Sequence, residues 1–256
     1  MRRPSASVAA RNEPIVRRIG QIKADHPFWG YRRVWAHLRY VDGVDLNQKR
    51  VLRLMRRHDL TVKPHRLLKA KRLSTKPKPR PTRPNEWWGI DMTKVLTESG
   101  WAYLVIVLDW YSKKVVGHHC GSTATSRQWL EAVDRALQRQ FPNGVRGHDL
   151  HLMSDNGSQP TSLAFMKTCS HLGIEQAFTS YNNPKGNADT ERMMRTMKEE
   201  LLWLREWPSV SQVSPVVRDW ITWYNDNYLH SALGYRTPTQ AEETYNLSHE
   251  TLLESA

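Results

Sequence analysis

"SDNGSQPTSLAFMKTCSHLGIEQAFTSYNNPKGNADTERMMRTMK" runs from Ser154 to Lys198. Its first residues close a short apolar run, "DLHLMSD" (149–155), that reads as a buried strand ending on Asp155. Ser162 to Gly173 reads as a helix with Phe165, Met166, Cys169 and Leu172 on one side and Gly173 as its stop. "IEQAFTS" (174–180) is a second strand, and the helix after Asn187-Ala188 carries Glu191 in its first turn. Strand, helix, strand, helix in succession predicts a layered α/β domain. Asp155 and Glu191 stand 35 intervening residues apart, and the fold class decides whether two such distant acids can meet.

Upstream, "EWWGIDMTKVL" (86–96) and "WAYLVIVLDWYS" (101–112) are rich in β-branched and aromatic residues and read as strands. Glu98-Ser99-Gly100 joins them as a hairpin, and "KKVVGHHCG" (113–121) supplies a third strand. Thr125 and Gln128 have capping-box spacing ahead of a helix with Trp129, Val133, Ala136 and Leu137 on its stripe. The sheet is therefore expected to be mixed, with an antiparallel edge.

A charged side chain inside an apolar strand is costly unless it is paired or holds a metal, which singles out Asp91 in "WWGIDMTKV". Asp109 in "VLDWYS" reads instead as a strand-end or turn residue. At 100° per residue, Arg195, Lys198 and Arg205 fall within about 40° of Glu191, opposite Met193, Met197, Leu201 and Leu204. Two aspartates and a glutamate are hard oxygen donors of the kind Mg²⁺ and Mn²⁺ prefer. Phosphodiester cleavage by a pair of such ions about 3.5–4 Å apart needs that donor set. Singly, each signal has an ordinary reading: a DNG turn, a helix-dipole charge, a solvated lysine, a buried ion pair.

The 256 residues carry a formal net charge of +13. The first 84 hold 23 basic and 5 acidic residues, and the remainder is net acidic. This segregation points to a polyanion-binding head on a more acidic body. Ile15, Ile19 and Ile22, then Val34 and Leu38, then Val51, Leu54 and Met55 repeat at helical spacing. A Gly-containing turn between the last two sets fits a helix-turn-helix, with Lys49, Arg50, Arg53, Arg56 and Arg57 around the second helix. "KPHRLLKAKRLSTKPKPRPTRP" (63–84) reads as a basic, Pro-rich linker. The domain organisation expected is 1–62 helical and DNA-binding, 63–84 linker, 85–207 catalytic core and 208–256 a C-terminal helical extension. In that extension Val213, Val216, Val217, Trp220, Ile221 and Tyr224 form a core stripe, and His230 reads as part of a packed turn, not as a metal ligand. Two cysteines exclude a four-Cys zinc site and a disulfide framework. No run approaches the roughly 20 apolar residues of a membrane span.

Taken together, "HPFWGYRRVWAHL", "WWGIDMT", "SDNGSQ", "NADTERMMRTMKEE" and "WYNDNYLHSALGYRTPTQAEE" resemble the OrfB-type transposases of bacterial insertion sequences of the third family, within the retroviral-integrase-like DDE superfamily. The likeness covers nearly the whole chain. It departs at Gly186 and Pro160, neither of which is a catalytic acid. The resemblance implies an RNase H-like core in which Asp91, Asp155 and Glu191 are the catalytic acids and bind two Mg²⁺, for which Mn²⁺ can substitute. It implies cutting of a mobile element's ends and joining of the freed 3′-OH to another phosphodiester. Lys198, Arg195, Lys185 and Asn187, with Arg32, Arg33, Lys49, Arg50, Arg53, Arg56 and Arg57, are then the expected DNA contacts. The implied partners are element-end and target DNA, further copies of the chain in a dimer or higher oligomer, and an upstream-encoded DNA-binding protein or fusion. The implied setting is the bacterial cytoplasm, at the nucleoid. Two other readings are a non-catalytic DNA-binding subunit and a metal nuclease without strand transfer.

Overall fold

The computed structural model describes residues 6–62, 79–179 and 186–254. The chain divides into two compact units, Met1–Arg72 and Leu73–Ala256. Most of the expected linker, residues 63–78, lies outside the described residues.

The first unit contains α1 (Ala6–Asp25), α2 (Tyr31–Tyr40) and α3 (Gln48–Arg57). The helical periods set its core: Ile19, Ile22, Val34, Leu38, Val51, Leu54 and Met55 are all buried. The first helix begins earlier than the isoleucine spacing predicted and continues through Pro14. Asn47 caps α3 by accepting from the Lys49 N–H. Arg18 on α1 makes two 2.8 Å bonds to Asp42 in the turn after α2. That pairing holds the Asp42 carboxyl below its ordinary range.

The second unit is built on one five-stranded sheet in the order β3-β2-β1-β4-β5. Its strands are β1 (Trp87–Thr97), β2 (Gly100–Asp109), β3 (Val115–Gly121), β4 (His151–Ser154) and β5 (Glu175–Phe178). The first three form an antiparallel meander, while β4 and β5 run parallel to β1. The mixed sheet with an antiparallel edge is thus what the sequence pattern predicted. Helices α4 (Ser126–Gln140) and α5 (Leu163–Leu172) connect the later strands. Trp88, Ile90, Val105, Val107, Trp129, Ala132, Val133, Phe165 and Cys169 share one buried cluster. Both capping-box bonds between Thr125 and Gln128 are made, and Gly173 takes the left-handed conformation that ends α5. Met166, expected on the buried stripe of α5, is exposed, because only Phe165 and Cys169 of that helix point fully inward.

Beyond β5 come α6 (Ala188–Met197), a π-helical turn (Lys198–Leu202), α7 (Val210–Asn227) and α8 (Pro238–Glu254). Residues 208–256 were expected as an extension, yet they belong to the same compact unit as the sheet. Their attachment is specific. The Asn225 amide accepts from the Val115 N–H at 2.9 Å and donates to the Val115 carbonyl at 3.0 Å. A side chain thereby pairs with β3, the edge strand, as a neighbouring strand would. Among the described residues no helix is long and apolar enough to cross a membrane.

Candidate active site

Asp91 lies in the central strand, and strand alternation decides which way it faces. Trp88 and Ile90 point into the cluster beneath α4 and α5, so Gly89 and Asp91 face the opposite side. Helix α6 packs against that side at Gly89. A β-carbon there would stand 2.0 Å from Thr190 Oγ1, 2.4 Å from Trp110 Nε1 and 2.6 Å from Asn187 Oδ1. Only glycine permits this approach. The contact is fixed by two hydrogen bonds: Asn187 Nδ2 donates to the Ile90 carbonyl at 3.1 Å, and Trp110 Nε1 donates to Thr190 Oγ1 at 3.0 Å. Glu191, next after Thr190, is therefore carried to the neighbourhood of Asp91.

Asp155 arrives by sheet register. Strand β4 pairs with β1 as Trp87↔His151, Trp88↔Leu152 and Gly89↔Met153. Continuing by two residues sets Asp155 beside Asp91, just past the end of β4. Asp155 is exposed, and its Oδ1 accepts from the Gly157 N–H at 3.1 Å in the DNG turn. Asn156 ties the same turn to the Thr179 carbonyl at 2.7 Å.

Asp91 senses both of the other acids. Burial pushes Asp91 up to about 6, and the negative charges of Asp155 and Glu191 push the same way. A bond from the Met92 N–H and the positive charge of Lys198 oppose the rise. Glu191 is exposed on α6, yet desolvation by the protein around it raises its carboxyl as well. Among the described residues no three His, Cys, Asp or Glu side chains are gathered tightly enough to enclose a metal ion. The acids thus share one end of the sheet without forming a closed ligand shell. The donor chemistry fits a hard divalent cation: carboxylate oxygens only, in a cluster whose like charges a cation would relieve.

Other expected site residues fall differently. Asp109 is fully buried at the end of β2 and accepts from the Ser112 N–H, the Ser112 hydroxyl and the Asn85 N–H. It is a strand-end residue, the first of the two readings the sequence allowed, and burial pushes it up to about 6. Asn187, expected on DNA, is buried at the N-cap of α6, where its side chain serves the clasp with β1. Arg195 is exposed and bonds Glu199 at 2.8 Å, one helical turn on. Lys185 lies outside the described residues. Arg50, expected on DNA, donates both Nε and Nη2 to Asn12 and ties α3 to α1. Lys49, Arg53 and Arg56 are exposed on α3, and Arg57 is half-buried. On α2, Arg32 is exposed and Arg33 half-buried.

The wheel drawn for the last helix fails past Met197. The Trp203 N–H donates to the Lys198 carbonyl at 2.9 Å, an i→i+5 bond that widens the turn. Leu202 is therefore buried while Leu204 is 45% exposed, and Arg205 lies beyond the helix. Sequence reasoning also missed Gly89, Thr190 and Trp110. A glycine inside a strand was the one available signal of a close approach.

Comparison with known proteins agrees with this architecture. Two models described as "Integrase core domain" match residues 81–184 and 172–238, and an "HTH-like domain" model matches residues 10–66. The transposase for insertion sequence element IS629 of Shigella sonnei is 26% identical over 94% of this chain and 82% of its own length. Transposase InsD for insertion element IS2A/D/F/H/I/K of Escherichia coli is 27% identical over 88% of this chain and 77% of its own. The simian T-cell lymphotropic virus intasome, solved in complex with PP2A regulatory subunit B56 gamma, contains a chain similar in fold. Its TM-score is 0.51 at 15% identity, with 88% of this chain and 74% of that one covered. The sheet and its helices have the RNase H-like integrase fold.

Proposed function

We infer that this chain, which belongs to the integrase-core family of insertion-sequence transposases, is a DNA transposase that cuts a mobile element's ends and joins the freed 3′-OH to another phosphodiester. Bound divalent cations, two Mg²⁺ or Mn²⁺ in their place, would supply Lewis acidity to the attacking and leaving oxygens. Asp91, Asp155 and Glu191 would hold them. Asp91 is the half-buried member on the central strand, whereas Asp155 and Glu191 lie at the exposed rim. Lys198, whose positive charge is felt at Asp91, would hold a phosphate of the DNA strand next to the acids. The Gly89 clasp keeps α6 in place while the strand is handled.

In the N-terminal unit, Arg32, Arg33, Lys49, Arg53, Arg56 and Arg57 would neutralise phosphates or reach base edges. Two element ends have to be brought together, so the working species is a dimer or larger assembly on DNA, in the bacterial cytoplasm at the nucleoid. An upstream-encoded DNA-binding partner or fusion would complete recognition of the ends.

The observation that carries this reading is the juxtaposition made by the β1/β4 register and the Gly89 clasp, two independent constraints that converge on Asp91. Labelled element-end DNA incubated with the purified protein and Mg²⁺ tests it. Nicking followed by joined product is expected, and Asp155→Asn should abolish both while leaving DNA binding intact. Cleavage retained by Asp155→Asn would overturn the assignment. No nicking by the wild type would favour a DNA-binding subunit, and nicking without joining a plain nuclease.

A further inference from the structure

Between the β1–β2 hairpin and the π-helical turn runs a groove of about 590 Å³, lined among others by Lys94, Trp101, Lys198, Trp203, Arg205 and Trp207. Its walls are fastened together at the base. The Glu98 N–H donates to the Trp207 carbonyl at 2.9 Å, and the Ser99 N–H donates to the Pro208 carbonyl at 3.2 Å. Trp207 Nε1 is tied in turn to the Leu202 carbonyl at 3.0 Å. Two of its tryptophans remain open to solvent, Trp101 at 42% and Trp203 at 67%.

Cations stand over the rings. Lys94 Nζ is 4.5 Å from the centre of the Trp101 ring, and the Arg205 guanidinium is 5.2 Å from that of Trp207. The π-helical turn carries the chain into Trp203, on the groove wall.

We propose that this groove binds a short unpaired stretch of the DNA strand leaving the acidic site, with its bases stacked on Trp101 and Trp203 and its phosphates beside Lys94, Lys198 and Arg205. The proposal rests on the transposase reading and extends it to a second subsite. Aromatic faces interleaved with cations are the surface on which single strands bind, because every base offers a face to stack. Continuity with the acids supports the assignment. Lys198 lines the groove and its positive charge also acts on Asp91. The charge is mixed, since Glu98 and Glu206 also line the walls. That favours a few stacked bases over a long duplex, which binds mainly through phosphate neutralisation. A protein partner is the weaker fit, because the centre of such an interface is depleted of charge.

The test is fluorescence anisotropy in EDTA, where no cleavage occurs. The probes are a labelled blunt duplex and the same duplex with six unpaired thymidines at its 3′ end. The wild-type chain should prefer the tailed probe. Trp101→Ala and Trp203→Ala should each weaken tailed binding by about 10-fold and leave blunt binding unchanged. Trp101→Phe and Trp203→Phe should retain most of the affinity, and Lys94→Gln should weaken tailed binding alone. Equal binding of both probes by the wild type, or equal loss on both in the alanine variants, overturns the proposal. So does unchanged DNA binding with loss of self-association in sedimentation velocity, which would assign the groove to a second copy. Because these readouts need no chemistry, they stand apart from the Asp155→Asn test of the active site.

Discussion

Replacing Gly89 by alanine puts one methyl group into the contact that sets Glu191 against Asp91. The new carbon would meet Thr190 Oγ1 at 2.0 Å, whereas ordinary contact begins near 3.4 Å, so α6 must retreat by about 1.4 Å at that point. Neither neighbour yields easily. Thr190 is bonded to Trp110, and Asn187 is bonded to the backbone of Ile90. A displacement of about 1 Å at a reacting centre costs about 100-fold in rate, and overpacking a well-filled contact costs about 1–3 kcal/mol of stability. Gly89→Ala should therefore cut DNA about 100-fold more slowly in single-turnover nicking of a labelled element end with Mg²⁺. Gly117→Ala is the control. Its β-carbon would meet the Ala132 carbonyl at 2.3 Å and Ala136 Cβ at 2.7 Å, against α4 and away from the acids. It should lose similar stability in urea titration yet cut at the wild-type rate once corrected for the folded fraction. Nicking by Gly89→Ala within about threefold of wild type would refute the idea that this clasp sets the acids.

Asn225→Ala removes both bonds to Val115 and leaves that strand's N–H and carbonyl without their partner, so unfolding should be easier by about 2–3 kcal/mol in urea titration. Asp109 is raised to about 6 from 3.8 by burial. A group raised in the folded state favours folding below its unfolded pKa and loses that contribution as pH rises through the folded one. Relative to Asp109→Asn, the wild type should thus lose up to about 3 kcal/mol between pH 4 and 7, and a flat difference across that range would contradict the burial argument. Arg53→Ala and Arg56→Ala should weaken duplex binding and each lower the salt slope by about 1, as read by anisotropy at 50–200 mM salt. Arg50→Ala should instead destabilise the N-terminal unit by about 1 kcal/mol, because its guanidinium is spent on Asn12.

The sheet and its helices were legible because each strand and cap rests on local chemistry. The capping box at Thr125 and the left-handed Gly173 are read from residue type and spacing alone. Asp91 was legible as an oddity, a charge where neighbours are apolar. What one sequence could not supply was contact. Asn187 and Arg50 have the composition of DNA ligands, and only the folded chain turns one onto β1 and the other onto α1. The widened turn after Met197 was equally hidden, since a wheel at 100° per residue presumes the α-helical repeat it is meant to test. Gly89 reads as a weak point in a strand until the helix that crosses it is known.

The amide of Asn225 also bears on the order in which the molecule is made. The edge strand is finished by residue 121, but the side chain that closes it lies more than a hundred residues later. A nascent or truncated chain ending near 207 would present an open β3 flank at Val115, a template for pairing with its neighbours. Helix α7 is thereby a lock against misassembly, and the sheet is shielded on that flank only once Asn225 has been made and α7 has docked.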